Sequence, residues 1–122
     1  MVYLAKGGKD TEISDLELAG LVHGTLENAG IKKKVLLIPP DATRMHSKAG
    51  IITRAAYEYY QTAVTDIMPA IGTHFPMAIN EIQLMYPGVR PELFREHRWR
   101  EELITLGRVP SEFIEEKFGF RV

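Results

Sequence analysis

Val35-Leu36-Leu37-Ile38 is continuously apolar and is stopped at once by Pro39-Pro40, and a second apolar run, Asp66-Ile67-Met68-Pro69-Ala70-Ile71, ends at Gly72. Proline has no amide hydrogen to give a sheet ladder, so the first run reads as a short strand, and its lack of alternation predicts burial on both faces. Between the runs Ala49, Ile52, Ala56, Tyr59, Tyr60 and Ala63 recur at three- and four-residue steps, the spacing of one helical stripe. Strand, helix and strand in that order make a β-α-β unit, normally parallel and right-handed. The expected fold is therefore α/β, a short, mostly parallel sheet flanked by helices in a Rossmann-like three-layer arrangement. With 122 residues, 45% of them hydrophobic, the chain can bury one core, so residues 1–122 read as a single domain.

The remaining segments fill in around this unit. Val2-Tyr3-Leu4-Ala5 is β-capable and predicts a weak first strand before the glycine-bearing loop Lys6-Gly7-Gly8-Lys9-Asp10. Ser14 stands three residues before Glu17, the spacing at which each side chain satisfies a backbone donor of the other at a helix start. Leu18, Leu21, Val22 and Leu26 continue that helix until Gly30 closes it. Lys32-Lys33-Lys34 then reads as a solvated loop. A third helix is expected from Pro76 in its first turn through Ile79, Ile82, Met85 and Tyr86 to Pro87-Gly88. The tail predicts a strand at Leu103-Ile104-Thr105-Leu106 and a short helix from Ser111 to Phe118 closed by Gly119.

Charge and motif content exclude several functions. A formal net charge of -1 provides no general attraction to nucleic acid or anionic lipid. Absence of cysteine removes disulfides, thiolate metal clusters and thiol nucleophiles. No apolar stretch approaches the roughly twenty residues of a membrane span, nor is there a signal-peptide core, so a soluble cytoplasmic protein is expected. HExxH, GxSxG, GxGxxG and the P-loop are all missing.

What polar chemistry there is follows the two apolar runs. Asp41-Ala42-Thr43-Arg44 comes after the first and Gly72-Thr73-His74 after the second. Carboxyl ends of neighbouring parallel strands share one edge, where ligands bind in open sheets, so the two loops are expected to face one site. Arg44 offers a planar fork of donors to a carboxylate or phosphate, and Thr43 adds a hydroxyl; Asp41 either orients Arg44 or accepts hydrogen bonds from a hydroxylated ligand, or else only caps the turn that follows the prolines and pairs with Arg44. His74 is the candidate proton carrier at neutral pH, or else a cap for the next helix, and Gly72 permits close backbone approach. His46 and His97 are weaker candidates, and His23, inside the first helix, reads as structural. No metal ligand set is evident.

The segment Ile38 to Ser47, with its Asp41-Ala42-Thr43-Arg44, the segment Ala70 to Met77, with its Gly72-Thr73-His74, and the stretch His97 to Leu103 with Leu106-Gly107 together resemble the N-terminal domain of the lactate racemase family, over about residues 35 to 120. The resemblance implies an isomerase that racemises or epimerises a small anionic 2-hydroxy acid by proton and hydride transfer with a nickel-pincer nucleotide. It implies that His74 is an acid/base residue and that Asp41, Thr43, Arg44, Gly72 and Thr73 contribute to the cofactor and substrate pocket. Phe75 stands where many members carry arginine, which implies a changed substrate or pocket.

Family members continue with a second catalytic histidine, a lysine that tethers the cofactor, a nickel-ligating histidine and a C-terminal domain, none of which these residues provide. The resemblance therefore implies part of a larger enzyme, or a truncated homologue, inactive alone and completed by the missing C-terminal part or by a homo-oligomer partner. The alternatives are a stand-alone anion- or nucleotide-binding or assembly module without catalysis, and a different small α/β enzyme in which His97 approaches His74.

Overall fold

The computed structural model describes residues 2–120. It is a mixed helix and strand fold in which α1 (Asp15–Ala29), β1 (Val35–Leu37), α2 (Ala49–Tyr60), β2 (Val64–Ile67), α3 (Ile79–Met85) and α4 (Ser111–Phe118) follow in order, with a 3-10 segment, Ala42–Ser47, between β1 and α2. Among the described residues no helix is long and apolar enough to cross a membrane.

Ser14 starts α1, its hydroxyl accepting from the Glu17 amide at 3.2 Å. The expected return bond does not form, because the Glu17 carboxylate pairs with Lys6 instead. Gly30 ends the helix with φ 77°, a left-handed value that costs glycine least. α1 lies against α2, where the His23 Nε2 donates to the Ala55 carbonyl at 3.0 Å, so His23 is structural as expected.

β1 and β2 pair in parallel, Leu36 opposite Asp66 and Leu37 opposite Ile67, with α2 as the crossover. The second strand begins at Val64, two residues before the expected run, and stops at Ile67. The chains stay side by side beyond the strands, since the Met68 amide donates to Leu37 at 2.9 Å and the Ala70 amide donates to Pro39 at 2.8 Å. A proline carbonyl can accept even though its nitrogen cannot donate, so Pro39-Pro40 extends the pairing from one side only.

A third segment joins on the far side of β2. The Arg95 amide donates to the Ile67 carbonyl at 2.8 Å and Phe94 bridges Ile67 in parallel. The strand expected at Leu103-Ile104-Thr105-Leu106 does not form, and neither does the one at Val2-Tyr3-Leu4-Ala5; both stretches are exposed and outside any strand. β propensity alone gives them no partner, whereas Phe94 is fixed beside β2 by the core.

That core is Val64, Ile67, Ile82, Met85, Tyr86, Val89 and Leu93, with Val35, Leu37, Tyr57, Tyr60 and Phe94 packed around it. Burying each of the larger aliphatic side chains contributes about 1.5–3 kcal/mol. Ala78 precedes α3 as its capping residue, its amide donating to the Glu81 carboxylate at 2.8 Å, so Pro76 lies before the helix and does not occupy its first turn. β1 is not buried on both faces: Val35 and Leu37 face the core, while Leu36 and Ile38 remain 51% and 59% exposed. Helices cover one face of the pair, so alternation was hidden in a run whose outward residues are also apolar.

Candidate functional site

Three chain segments run side by side and end at one edge: 35–41, 64–72 and 94–97. The first delivers Asp41, the second the Gly72 turn and His74, the third His97. The two-loop geometry expected from the sequence is present, because the His74 Nδ1 lies 2.5 Å from the Asp41 Oδ2.

Asp41 is 5% exposed and fully engaged. Its Oδ1 accepts from the Thr43 amide at 3.1 Å and from the Thr43 hydroxyl at 2.5 Å, while Oδ2 takes the imidazole. Burial acts to raise its pKa, but the Thr43 and His74 hydrogen bonds outweigh it, and the carboxyl lies below its ordinary 3.8. Asp41 is therefore an anion at neutral pH and can only accept, which makes Nδ1 of His74 the donor; in the neutral ring the lone pair is then on Nε2.

His74 enters through a turn in which its amide donates to the Ile71 carbonyl at 3.0 Å, and Gly72 makes that turn with φ 59°. Half the His74 side chain remains exposed. The ring does not cap α3, whose capping residue is Ala78, so the capping alternative is excluded.

Arg44 is not paired with Asp41. It is exposed, and its guanidinium makes no hydrogen bond or ion pair among the described residues. Thr43 and Thr73 are exposed beside it and beside His74 respectively. Arg44 and His46 are both exposed on the same 3-10 segment, and neither lines the cleft described next.

A cleft of about 330 Å³ opens between the His74 turn and the segment after Phe94, lined by Thr73, His74, Phe75, His97, Trp99 and Arg100 among others. His97 is half-buried, and its Nδ1 is buried without a hydrogen-bond partner. The Arg100 guanidinium stacks on Trp99 at 3.7 Å. A charged run such as the one around His97 reads by itself as an exposed face; the pairing of Phe94 with Ile67, which local sequence does not signal, swings that run to the edge that carries His74. Among the described residues no group of three His, Cys, Asp or Glu side chains comes together to hold a metal ion.

Comparisons with known protein families, with curated proteins and with solved structures find no match to this chain.

Proposed function

We propose that this chain supplies the acid/base half of an active site for a small anionic 2-hydroxy acid, as the N-terminal domain of a lactate racemase-like enzyme. The observation that carries the proposal is the His74–Asp41 pair. A buried carboxylate holding Nδ1–H leaves Nε2 free to take the substrate's hydroxyl proton and stabilises the imidazolium that results. Arg44, a permanent cation without a partner among the described residues, suits the substrate's carboxylate. Thr73 lines the cleft beside His74 and, with Gly72, faces His97 and Trp99, while Thr43 holds Asp41 through its amide and hydroxyl.

The nickel-pincer nucleotide that the resemblance implies does not fit these residues by themselves. Asp41 commits both oxygens to Thr43 and His74, and the described residues form no three-ligand cluster. We therefore assign to this chain the anion and the hydroxyl proton, and assign the fate of the substrate's α-hydrogen to the rest of the enzyme. The same proposal places a second helical layer over Leu36 and Ile38, completing a Rossmann-like three-layer arrangement, and sets the enzyme in the cytoplasm. A stand-alone anion-binding module would use Arg44 in the same way without the proton chemistry.

Titration of the isotopically labelled chain with lactate and with propionate, observed by NMR, separates these cases. The expected result is saturable shifts at Asp41 to Arg44 and at Gly72 to His74, tighter binding of lactate than of propionate, and loss of both in Arg44→Ala. Equal binding of the two acids would favour the module, and no binding of either overturns the site. Racemisation of lactate by the 122-residue chain alone would show that it is not half of an active site.

A further inference from the structure

We infer that this chain forms a two-fold dimer in which the C-terminal arm of each copy, residues 103–120, lies in the apolar groove between α1, α2 and α3 of the other. The first observation is area. The solvent-accessible surface is 9380 Å², whereas a folded monomer of 13.8 kDa exposes about 6,600 Å². The excess, roughly 2,700 Å², is well beyond the ~800 Å² per partner that a stable interface covers.

The arm is exposed along most of its length. Leu103, Ile104, Leu106 and Val109 are 73%, 85%, 99% and 65% exposed, and Phe113, Phe118 and Phe120 are at least 47% exposed. The backbone of residues 103–109 makes no hydrogen bond to the other described residues. α4 places Ile114 and Phe118 four residues apart, on one face, which is how an amphipathic helix presents itself to a groove.

A receptor of matching chemistry lies on the same chain. A groove of about 570 Å³ runs between α1, α2 and α3, with Leu16, Met45, Ile51, Leu84 and Met85 in its lining. Leu16 and Leu84 are 86% and 69% exposed. The four charged side chains in its lining are paired with one another, Lys48 with Asp15 at 2.8 Å and Arg54 with Glu58 at 2.7 Å. Within the arm, residues 103–107 carry no ionisable side chain and are the part such a groove favours, while Arg108, Glu112, Glu115, Glu116 and Lys117 follow them.

An arm without a groove and a groove without an occupant, both on one chain, are satisfied together by reciprocal exchange. That exchange closes with two-fold symmetry and needs no third component. Met45 follows Arg44 in the 3-10 segment, so a docked arm also packs against the segment that presents the unpaired cation. This inference is independent of the proposed chemistry.

Light scattering coupled to size exclusion on the 122-residue chain is the test. The expected mass is twice 13.8 kDa. The arm variant Leu106→Glu with Phe113→Glu, and separately the groove variant Leu84→Glu, should each fall to the mass of one chain with an unchanged circular dichroism spectrum. Mixing the two variants should restore a dimer, because one arm and one groove remain intact. A wild-type monomer, whether its arm is free or folded onto its own groove, overturns the inference. So does a dimer that survives both sets of substitutions.

Discussion

The phenol of Tyr86, wholly buried at the end of α3, donates its hydrogen bond to the carbonyl of Pro40, the residue immediately before Asp41. The core is in this way tied directly to the loop that carries the candidate site's carboxylate. Burial, and then the nearby Asp41 charge, push the Tyr86 hydroxyl up from 10.0 to about 12.

Tyr86→Phe should lower stability by about 1–3 kcal/mol, because the Pro40 carbonyl loses its buried donor. The wild type carries a further pH signature. Tyr86 is harder to ionise in the folded state, so its contribution is fully present below pH 10 and is lost as pH rises through about 12. Denaturation midpoints between pH 9 and 12 should fall more steeply for the wild type than for Tyr86→Phe; parallel curves would remove the burial argument.

Asp41 acts at the acid end with the opposite sign. Its folded pKa lies below 3.8, so the stability it contributes is present above that value and is lost as pH falls through the folded pKa. Asp41→Asn should be less stable than the wild type at pH 7, with the difference shrinking toward pH 2, as followed by urea titration at each pH.

The same substitution tests the tautomer. In the wild type, ring nitrogen chemical shifts should report neutral His74 protonated at Nδ1, held there by the carboxylate. Asp41→Asn should admit the Nε2–H form, because an amide can offer either a donor or an acceptor. An unchanged tautomer would mean that Asp41 does not orient the ring.

Two glycines should respond in opposite directions. A Cβ at Gly50, at the start of α2, would overlap the Met85 carbonyl oxygen at the end of α3, so Gly50→Ala forces two packed helices apart. The expected cost is about 1–3 kcal/mol. Gly24, in the middle of α1, has nothing within 4 Å of that position. Gly24→Ala should therefore stabilise the chain by up to ~1 kcal/mol through helix propensity. Thermal unfolding of both variants measures the pair.

Local signals by themselves determined much of this protein. Ser14 and Gly30 bound α1, the stripe from Ala49 to Tyr60 is α2, Gly119 closes α4, and the two apolar runs with a helix between them make a parallel β-α-β pair. Each of these rests on a backbone or patterning preference that operates within a few residues. Even the meeting of the loop after β1 with the Gly72 to His74 loop was legible, because parallel strands present their carboxyl ends at one edge; the pairing of Asp41 with His74 was not.

Tertiary structure decided the rest. Leu103 to Leu106 has the composition of a strand, yet Phe94 takes the place beside β2, because packing against Tyr86 and Ile67 holds it there, while the later segment pairs with no strand among the described residues. That choice brings His97 to the cleft. It also left Arg44 unpaired, since Asp41, within reach of both Arg44 and His74 in principle, is oriented by Thr43 toward the imidazole. Sequence spacing fixes which groups can come near one another; which pair forms depends on how the core aims the two loops that carry them.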